Sequence, residues 1–171
     1  RITGFDLFNI VMTRQNEKSG SVFFLGSTDA TLRKMQARAK VDYPNVHIEF
    51  YSPPFKSSFT KLETQDICER INYFNPDVLF IGMAAPKQEK WAYENQHSIQ
   101  ACLICSVGAV FDFYSGNVKR APDWMLPLGL EWVYRSVRSV RLLKRNFTSN
   151  PRFVALILLK LMKSWRRMTI V

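Results

Sequence analysis

Cysteine is scarce in this sequence. Its 171 residues include only Cys68, Cys102 and Cys105, and an odd, sparse set does not suit a fold stapled by disulfides. Cys102 and Cys105 have the C-x-x-C spacing, but they lie in the apolar run 101–107. In a strand their side chains would point to opposite faces and could not share a metal ion. We therefore interpret the cysteines as small buried hydrophobic residues and expect a cytoplasmic protein.

Several motifs of the commonest nucleotide and metal sites are also absent. The sequence has no G-x-x-x-x-G-K-[ST] phosphate loop and no G-x-G-x-x-G fingerprint. It has no D-x-D pair, so the usual carboxylate cage for a divalent metal on a nucleotide sugar is missing. His47 and His97 are isolated, and neither has a partner at the spacing of metal ligands. We therefore expect no bound metal and no resident cofactor.

The composition excludes a disordered or low-complexity chain. Hydrophobic residues make up 47% and aromatic residues 13% of the sequence, enough for a core in a domain of this length. The sequence does not begin with Met, and no apolar run of the signal-peptide type lies near its start. We therefore expect that the natural protein begins upstream of Arg1.

Acidic residues are almost missing from the last third of the chain. Residues 1–116 contain 12 Lys and Arg and 12 Asp and Glu, whereas residues 117–171 contain 12 basic residues against Asp123 and Glu131. The net charge of +10 therefore lies in the last third. This segregation indicates an anionic partner for that end, which could be lipid headgroups, nucleic acid or a phosphorylated substrate.

The first two thirds alternate between apolar runs and stretches of helical periodicity. Almost wholly apolar strands that alternate with helices predict a parallel sheet covered on both faces, a Rossmann-like α/β fold with ligands at the carboxyl ends of the strands. Strands are predicted at 21–26, 46–51, 77–83 and 101–108, and helices at 4–18, 29–42, 61–74 and 86–97.

Beyond Gly116 the pattern indicates two basic amphipathic helices, at 126–147 and 153–165, separated by Pro151. Their apolar runs are shorter than the roughly 20 residues that span a bilayer, so we expect an interfacial anchor. The alternative is helix packing within the domain or in a homo-oligomer. We divide the chain into a nucleotide-binding domain, 1–125, and a membrane-facing appendage, 126–171. The residues expected to face lipid or a lipid-linked acceptor are Arg138, Arg141, Arg145, Lys160, Lys163 and Arg166.

The most informative stretch for chemistry is 82–91, GMAAPKQEKW. Small residues from Gly82 onward follow a strand and let a ligand approach the backbone. Pro86 suits the first position of a helix, whose free N–H groups and dipole would face a diphosphate beside Lys87. Gln88 can donate and accept hydrogen bonds towards a sugar or base. A well-capped surface helix without a ligand explains the same residues equally well.

Two further stretches are less specific. At the next predicted strand end, Gly108 and Ala109 leave room for a base or sugar, and Asp112 can hydrogen-bond to it. A buried Asp that caps a helix is the alternative. The segments 118–124 and 128–135 combine basic and aromatic residues, and by themselves indicate only a basic surface.

Taken in order, these stretches resemble the WecG/TagA/CpsF family of bacterial glycosyltransferases. The resemblance covers 1–153, nearly the whole chain. It rests on R-x-x-G at 1–4, a strand that ends in Gly26, P-K-Q-E at 86–89, G-x-x-F-D at 108–112, V-K-R-A-P at 118–122, G-L-E-W-x-Y-R at 129–135 and N-P-R-F at 150–153. Each motif is short, but seven in register are specific.

The resemblance implies an inverting, metal-independent transfer of an N-acetylmannosamine-type sugar. The donor would be a UDP-sugar and the acceptor a lipid-diphosphate-linked saccharide at the cytoplasmic face of the membrane. Gln88 would contact the donor, and Arg1, Arg120 and Arg135 would offset charge on the leaving group. The residues expected around the donor are Gly26, Ser27, Gly82, Pro86, Lys87, Gln88, Gly108, Ala109, Asp112 and Glu131.

Some residues depart from the family's pattern. Ala84 and Ala109 replace common glycines, Ser106 replaces another, and the turn at 27–29 and the loop at 51–60 differ. All lie at strand ends, so the donor can differ from the family's commonest one. The family's candidate catalytic Asp precedes R-x-x-G, and no residue here matches it, so we expect this chain alone to be inactive or nearly so.

Two other functions compete with this interpretation. A nucleotide-dependent oxidoreductase can use the same fold class, although the missing G-x-G-x-x-G argues against it. A nucleic-acid-binding module would explain the sequence pI of about 9.8. Preference for NAD over UDP would favour the first, and salt-dependent RNA or DNA binding without liposome binding would favour the second.

Overall fold

Four parallel strands form the centre of the computed structural model, which describes residues 2–119. The strand order is β2-β1-β3-β4, so the predicted α/β fold with a parallel sheet is confirmed. The strands are β1 (Ser21–Gly26), β2 (His47–Tyr51), β3 (Val78–Gly82) and β4 (Leu103–Ser106).

Five helices accompany the sheet in this part of the chain, and three of them begin at a threonine cap. Thr3, Thr28 and Thr60 each accept a backbone N–H of the first helical turn through the side-chain oxygen. None of these helices is long and apolar enough to cross a membrane. The helices are α1 (Gly4–Glu17), α2 (Asp29–Asp42), α3 (Lys61–Phe74), α4 (Lys87–Asn95) and α5 (Val110–Tyr114).

The order of the strands creates a switch point between β1 and β3. The chain passes from β1 through α2 to β2 on one side, and then through α3 to β3 on the other side of β1. Because the two crossovers leave in opposite directions, a crevice is expected at the carboxyl ends of β1 and β3. The candidate site is therefore expected at Gly26 and Gly82, which are paired there.

Alternate side chains of the strands enter two separate cores, one on each face of the sheet. Val22 and Phe24 of β1 pack with residues of α1, α2 and α5. Phe23 and Leu25 pack on the other face with residues of α3 and α4. The alternation follows from the two-residue period of a strand, and the predicted helical cover on both faces is confirmed.

Some predicted details are wrong. The third and fourth strands are shorter than predicted, and the predicted turn at 108–112 contains the start of α5. Pro86 is the residue before α4 and not its first residue. Cys68 and Cys105 are buried as expected, but Cys102 is exposed because it precedes β4. The predicted boundary at 125 and the helices beyond it lie outside the described residues.

Gly82 provides a test of how tightly α5 packs on the sheet. A Cβ atom at Gly82 would lie 2.3 Å from Cδ2 of Phe111, and Phe111 is buried and cannot swing into solvent. We expect Gly82→Ala to lower the free energy of unfolding by about 1–3 kcal/mol through overpacking, measured by urea denaturation.

Gly4→Ala is the matched control. A Cβ at Gly4 would meet Val110 at 3.5 Å, an ordinary contact, and alanine is favoured over glycine in a helix. We expect this variant to be as stable as the parent or slightly more so. Equal stability of Gly82→Ala and the parent would contradict the packing described for Phe111.

Candidate functional site

The two central strands approach each other most closely at their carboxyl ends. Gly26 has φ of +110°, and a Cβ there would lie 2.7 Å from the carbonyl oxygen of Gly82. The next residue, Ser27, also has a positive φ and donates its backbone N–H to that carbonyl at 3.0 Å. Gly26 is therefore required by backbone conformation and by close approach, and it fixes the floor of the crevice.

Gly82 has a packing role that the sequence did not reveal. The space where its side chain would be is taken by the ring of Phe111, while the predicted contact of Gly82 with a ligand stays a prediction. The pattern G-x-x-F-D gave no sign of this packing, because Phe111 meets Gly82 only when α5 folds back on the sheet.

The turn between β3 and α4 forms an exposed border of the crevice. Ala84, Ala85 and Pro86 are all exposed, and the Ala85–Pro86 peptide bond is cis. The carbonyl of Ala84 accepts the backbone N–H groups of Lys87 at 2.9 Å and of Gln88 at 3.4 Å. The expected free N–H groups at the start of α4 are thus partly occupied within the turn.

The ammonium group of Lys87 points to the loop that follows β2. It donates to the carbonyl of Lys56 at 2.7 Å and lies 3.5 Å from the centre of the Phe59 ring. Burial lowers the pKa of Lys87 from its ordinary value. The predicted contact of Lys87 with a diphosphate stays a prediction, and it requires these contacts to be exchanged.

Gln88 is buried between two strand ends. Its side-chain oxygen accepts the backbone N–H of Met83 at 3.3 Å and that of Gly108 at 3.1 Å. Its side-chain nitrogen donates to Glu89 Oε1 at 2.8 Å. Gln88 therefore lies in the predicted site, but its amide oxygen is used inside the protein.

The fourth strand ends in the turn that was predicted to border the ligand. Gly108 has φ of +53°, which favours glycine, and Ala109 immediately precedes α5. Asp112 is partly buried in the first turn of that helix, and its backbone carbonyl accepts the N–H of Val118 at 3.1 Å. These residues thus adjoin the end of β4, as the sequence predicts, while their contact with a ligand stays a prediction.

The loop 52–60 is attached to the site by contacts that the sequence did not reveal. The Ser52 hydroxyl donates to the carbonyl of Ser27 at 2.8 Å. Lys56 forms an ion pair with Glu63, whose other oxygen accepts the backbone N–H of Thr60. The only sequence signal for the contact of Ser52 with Ser27 was a polar residue directly after a strand. The loop is therefore tied to β1, α3 and α4.

The remaining predicted site residues lie outside the described residues and stay predictions. These are Arg1, Arg120, Glu131, Arg135, Arg138, Arg141, Arg145, Lys160, Lys163 and Arg166. Within residues 2–119, no three His, Cys, Asp or Glu side chains are grouped so that they could hold a metal ion. The described strand ends thus combine backbone groups with the small side chains of Ala84, Ala85 and Ala109.

A comparison with protein families identifies the chain. The description of the matching family is "Glycosyl transferase WecG/TagA/CpsF family", and the match covers residues 1–167. The chain belongs to this family. The resemblance drawn from seven short motifs is therefore confirmed.

Curated relatives agree with the family. A Bacillus subtilis (strain 168) protein named N-acetylglucosaminyldiphosphoundecaprenol N-acetyl-beta-D-mannosaminyltransferase is 33% identical over 158 residues, 92% of this chain and 59% of the relative. Proteins of the same name from Bacillus spizizenii and Staphylococcus aureus (strain NCTC 8325) are 30% and 29% identical, over 92% and 80% of this chain and 59% and 52% of their own lengths. The chain thus spans between half and three fifths of these relatives.

The anchoring of loop 52–60 predicts a specific pH dependence. Hydrogen bonds from Lys56 and from the backbone of Thr60 lower the pKa of Glu63 from 4.5 to about 2. A depressed carboxyl pKa stabilises the fold fully above the unfolded pKa, and this contribution is lost as the pH falls from 4.5 towards 2. We expect Glu63→Gln to melt below the parent at neutral pH, with the difference closing over that window.

The measurement is the melting temperature of both proteins as a function of pH. Glu94→Gln is the control, because Glu94 is an exposed carboxylate of α4 with no hydrogen bond or ion pair in the described part of the chain. It should follow the parent at every pH. A Glu63→Gln difference that persists unchanged at pH 2 would contradict the role of the ionised carboxylate.

Proposed function

We propose that the protein is an inverting, metal-independent glycosyltransferase that moves an N-acetylmannosamine-type sugar from a UDP-sugar to a lipid-diphosphate-linked acceptor. The observation that carries the proposal is the family match over residues 1–167. The relatives are named for transfer of N-acetyl-β-D-mannosamine to N-acetylglucosaminyl-diphospho-undecaprenol. The same reaction in this protein would serve the synthesis of a bacterial surface polysaccharide or teichoic acid.

The donor is proposed to bind at the carboxyl ends of β1, β3 and β4. In open α/β sheets, ligands bind outside the carboxyl ends of the strands at the switch point, which lies here between Gly26 and Gly82. The exposed turn at Ala84 and Ala85 borders this crevice with small side chains. These features support the carboxyl ends of the strands as the place where the donor binds.

Charge for the leaving diphosphate is proposed to come from Arg120, Arg135 and Arg1, as the family resemblance implies. Negative charge develops on the UDP leaving group as the bond to the sugar breaks. Fixed cations beside the diphosphate would stabilise this charge in the transition state. Lys87 is a further cation beside the crevice, currently bound to Lys56 and Phe59. The proposal needs no metal for this role.

The acceptor is proposed to reach the site from an anionic membrane surface. The excess of ten basic residues over acidic ones in 117–171 would hold that segment at the inner face of the cell membrane, where lipid headgroups are negative. The protein would then act as a peripheral membrane enzyme in the cytoplasm.

A thermal-shift assay tests the donor site. We expect UDP in the presence of EDTA to raise the melting temperature by roughly 5 °C or more at a concentration near 100 times its Kd. Ala84→Phe should abolish the shift, because a large side chain at this exposed border fills the crevice. NAD should give no shift.

Ala37→Phe is the control, since it places the same side chain on an exposed position of α2. It should retain the full response to UDP. If the parent shows no UDP shift at any concentration, the donor site is wrong. A response to NAD in preference to UDP would favour an oxidoreductase.

A sedimentation assay tests the membrane surface. We expect the protein to bind vesicles that contain an anionic lipid and Arg141→Glu to reduce the bound fraction, because each basic residue near such a surface contributes about 1 kcal/mol. Lys61→Glu reverses one charge at the exposed start of α3 and should bind as the parent does. Equal sedimentation of Arg141→Glu and the parent would refute the role of Arg141.

A further inference from the structure

Gln88 has contacts that differ from those of an exposed ligand-binding side chain. It is 5% exposed, and it is one of three buried polar residues in the described part of the chain. Its oxygen accepts two backbone N–H groups, from Met83 and Gly108. Burying such an amide is favourable only when its polar atoms are bonded.

The two N–H groups come from different strand ends. The pairing of β3 with β4 ends at Ile81 and Ser106, and Val107 donates one more backbone hydrogen bond to Ile81 at 2.9 Å. Gly108 donates a longer hydrogen bond to the same Ile81 carbonyl at 3.4 Å, and beyond that point the Gln88 oxygen links Met83 to Gly108. Gln88 thus continues the connection past the end of the β-ladder.

Glu89 determines which way the Gln88 amide faces. The Gln88 nitrogen donates to Glu89 Oε1 at 2.8 Å, a charge-assisted hydrogen bond. A flipped amide would set its NH2 group against two N–H donors and its oxygen against a carboxylate. Both ends of the amide therefore require the same orientation.

We propose that Gln88, oriented by Glu89, is a positioning residue that sets the separation of the β3 and β4 ends bordering the donor. This role rests on the proposed function of the crevice as the donor site. It differs from direct contact between Gln88 and the donor, which the family resemblance implies and which the Gln88 nitrogen would make, because the oxygen is already bonded twice. The two roles need different atoms of the Gln88 side chain. The positioning role, here called the brace, uses the oxygen that accepts from Met83 and Gly108, whereas direct contact uses the nitrogen.

An exchange of the two side chains separates these roles. In the double variant Gln88→Glu/Glu89→Gln, a carboxylate at 88 accepts from Met83 and Gly108, and the amide at 89 donates back to it. The two hydrogen bonds from Met83 and Gly108 keep their direction, and only the hydrogen bond between residues 88 and 89 is reversed. No N–H donor remains at position 88 for a ligand.

The single variants complete a double-mutant cycle at positions 88 and 89. Gln88→Ala removes the acceptor of the Met83 N–H and leaves the Gly108 N–H only its longer bond to Ile81, and we expect UDP-sugar affinity to fall roughly 10- to 100-fold. Gln88→Glu alone sets two carboxylates against each other and should lose about as much at neutral pH. Glu89→Gln keeps a neutral acceptor for the Gln88 nitrogen, so a loss of about threefold is expected.

Two measurements are made on each folded variant. Calorimetry gives the affinities for UDP and a UDP-sugar, and amide hydrogen exchange gives the protection of Met83 and Gly108. We expect Gln88→Ala and Gln88→Glu to lose protection and affinity together, and the double variant to recover both to within about threefold of the parent. Loss of affinity for UDP itself, and not only for the UDP-sugar, is expected because the brace shapes the whole border.

An exposed Gln–Glu pair supplies the control. Gln65 donates to Glu69 at 2.8 Å on the surface of α3, so Gln65→Glu/Glu69→Gln makes the same exchange away from the strand ends. It should change neither protection nor affinity. Amide protection that returns in the Gln88→Glu/Glu89→Gln variant without affinity would overturn the proposal and assign the Gln88 nitrogen to the donor.

The remaining outcomes distinguish the brace from the donor site. If the parent binds UDP and Gln88→Ala binds it equally well, the positioning role is wrong while the donor site stands. If the parent binds no UDP, the donor-site assignment fails, and the positioning role fails with it.

Discussion

The close approach of β1 and β3 at Gly26 and Gly82 is the constraint on which the described site depends. A side chain at Gly26 would collide with the Gly82 carbonyl, and one at Gly82 would collide with Phe111. Tight pairing there brings the carboxyl ends of both strands to one edge, while the crossovers through α2 and α3 leave in opposite directions. The crevice is therefore a consequence of backbone packing, and side chains only complete its border.

Polar side chains take over where regular hydrogen bonding stops. Ser52 joins the end of β2 to Ser27 after β1, and Gln88 joins the turn after β3 to Gly108 after β4. Irregular backbone at a strand end leaves donors and acceptors that must be satisfied when they are partly buried. The same bonds hold the turns at the proposed donor site, so the shape of that site depends on the same few residues as the local stability.

Lys87 is a predicted site residue that is also part of the scaffold. Its ammonium group holds loop 52–60 through Lys56 and Phe59, and Glu63 completes the attachment from α3. Burial disfavours the charged form of Lys87 and lowers its pKa. The loop is thus held to α3 and α4 by contacts of two charged side chains.

The sequence by itself determined the elements and the family. The apolar run of β1, the helical period of Lys61–Phe74 and the stop at Tyr43 and Pro44 are local properties, and the helix bounds 61–74 were predicted without error. Seven short motifs sufficed for the family because their order and spacing are also linear properties. Only the tertiary structure decided that Phe111 fills the space at Gly82, that Lys87 turns to the loop, and that the Gln88 oxygen faces inward. Each of these depends on partners about 20 or more residues apart, which meet only when the helices fold against the sheet, so no local pattern encodes them.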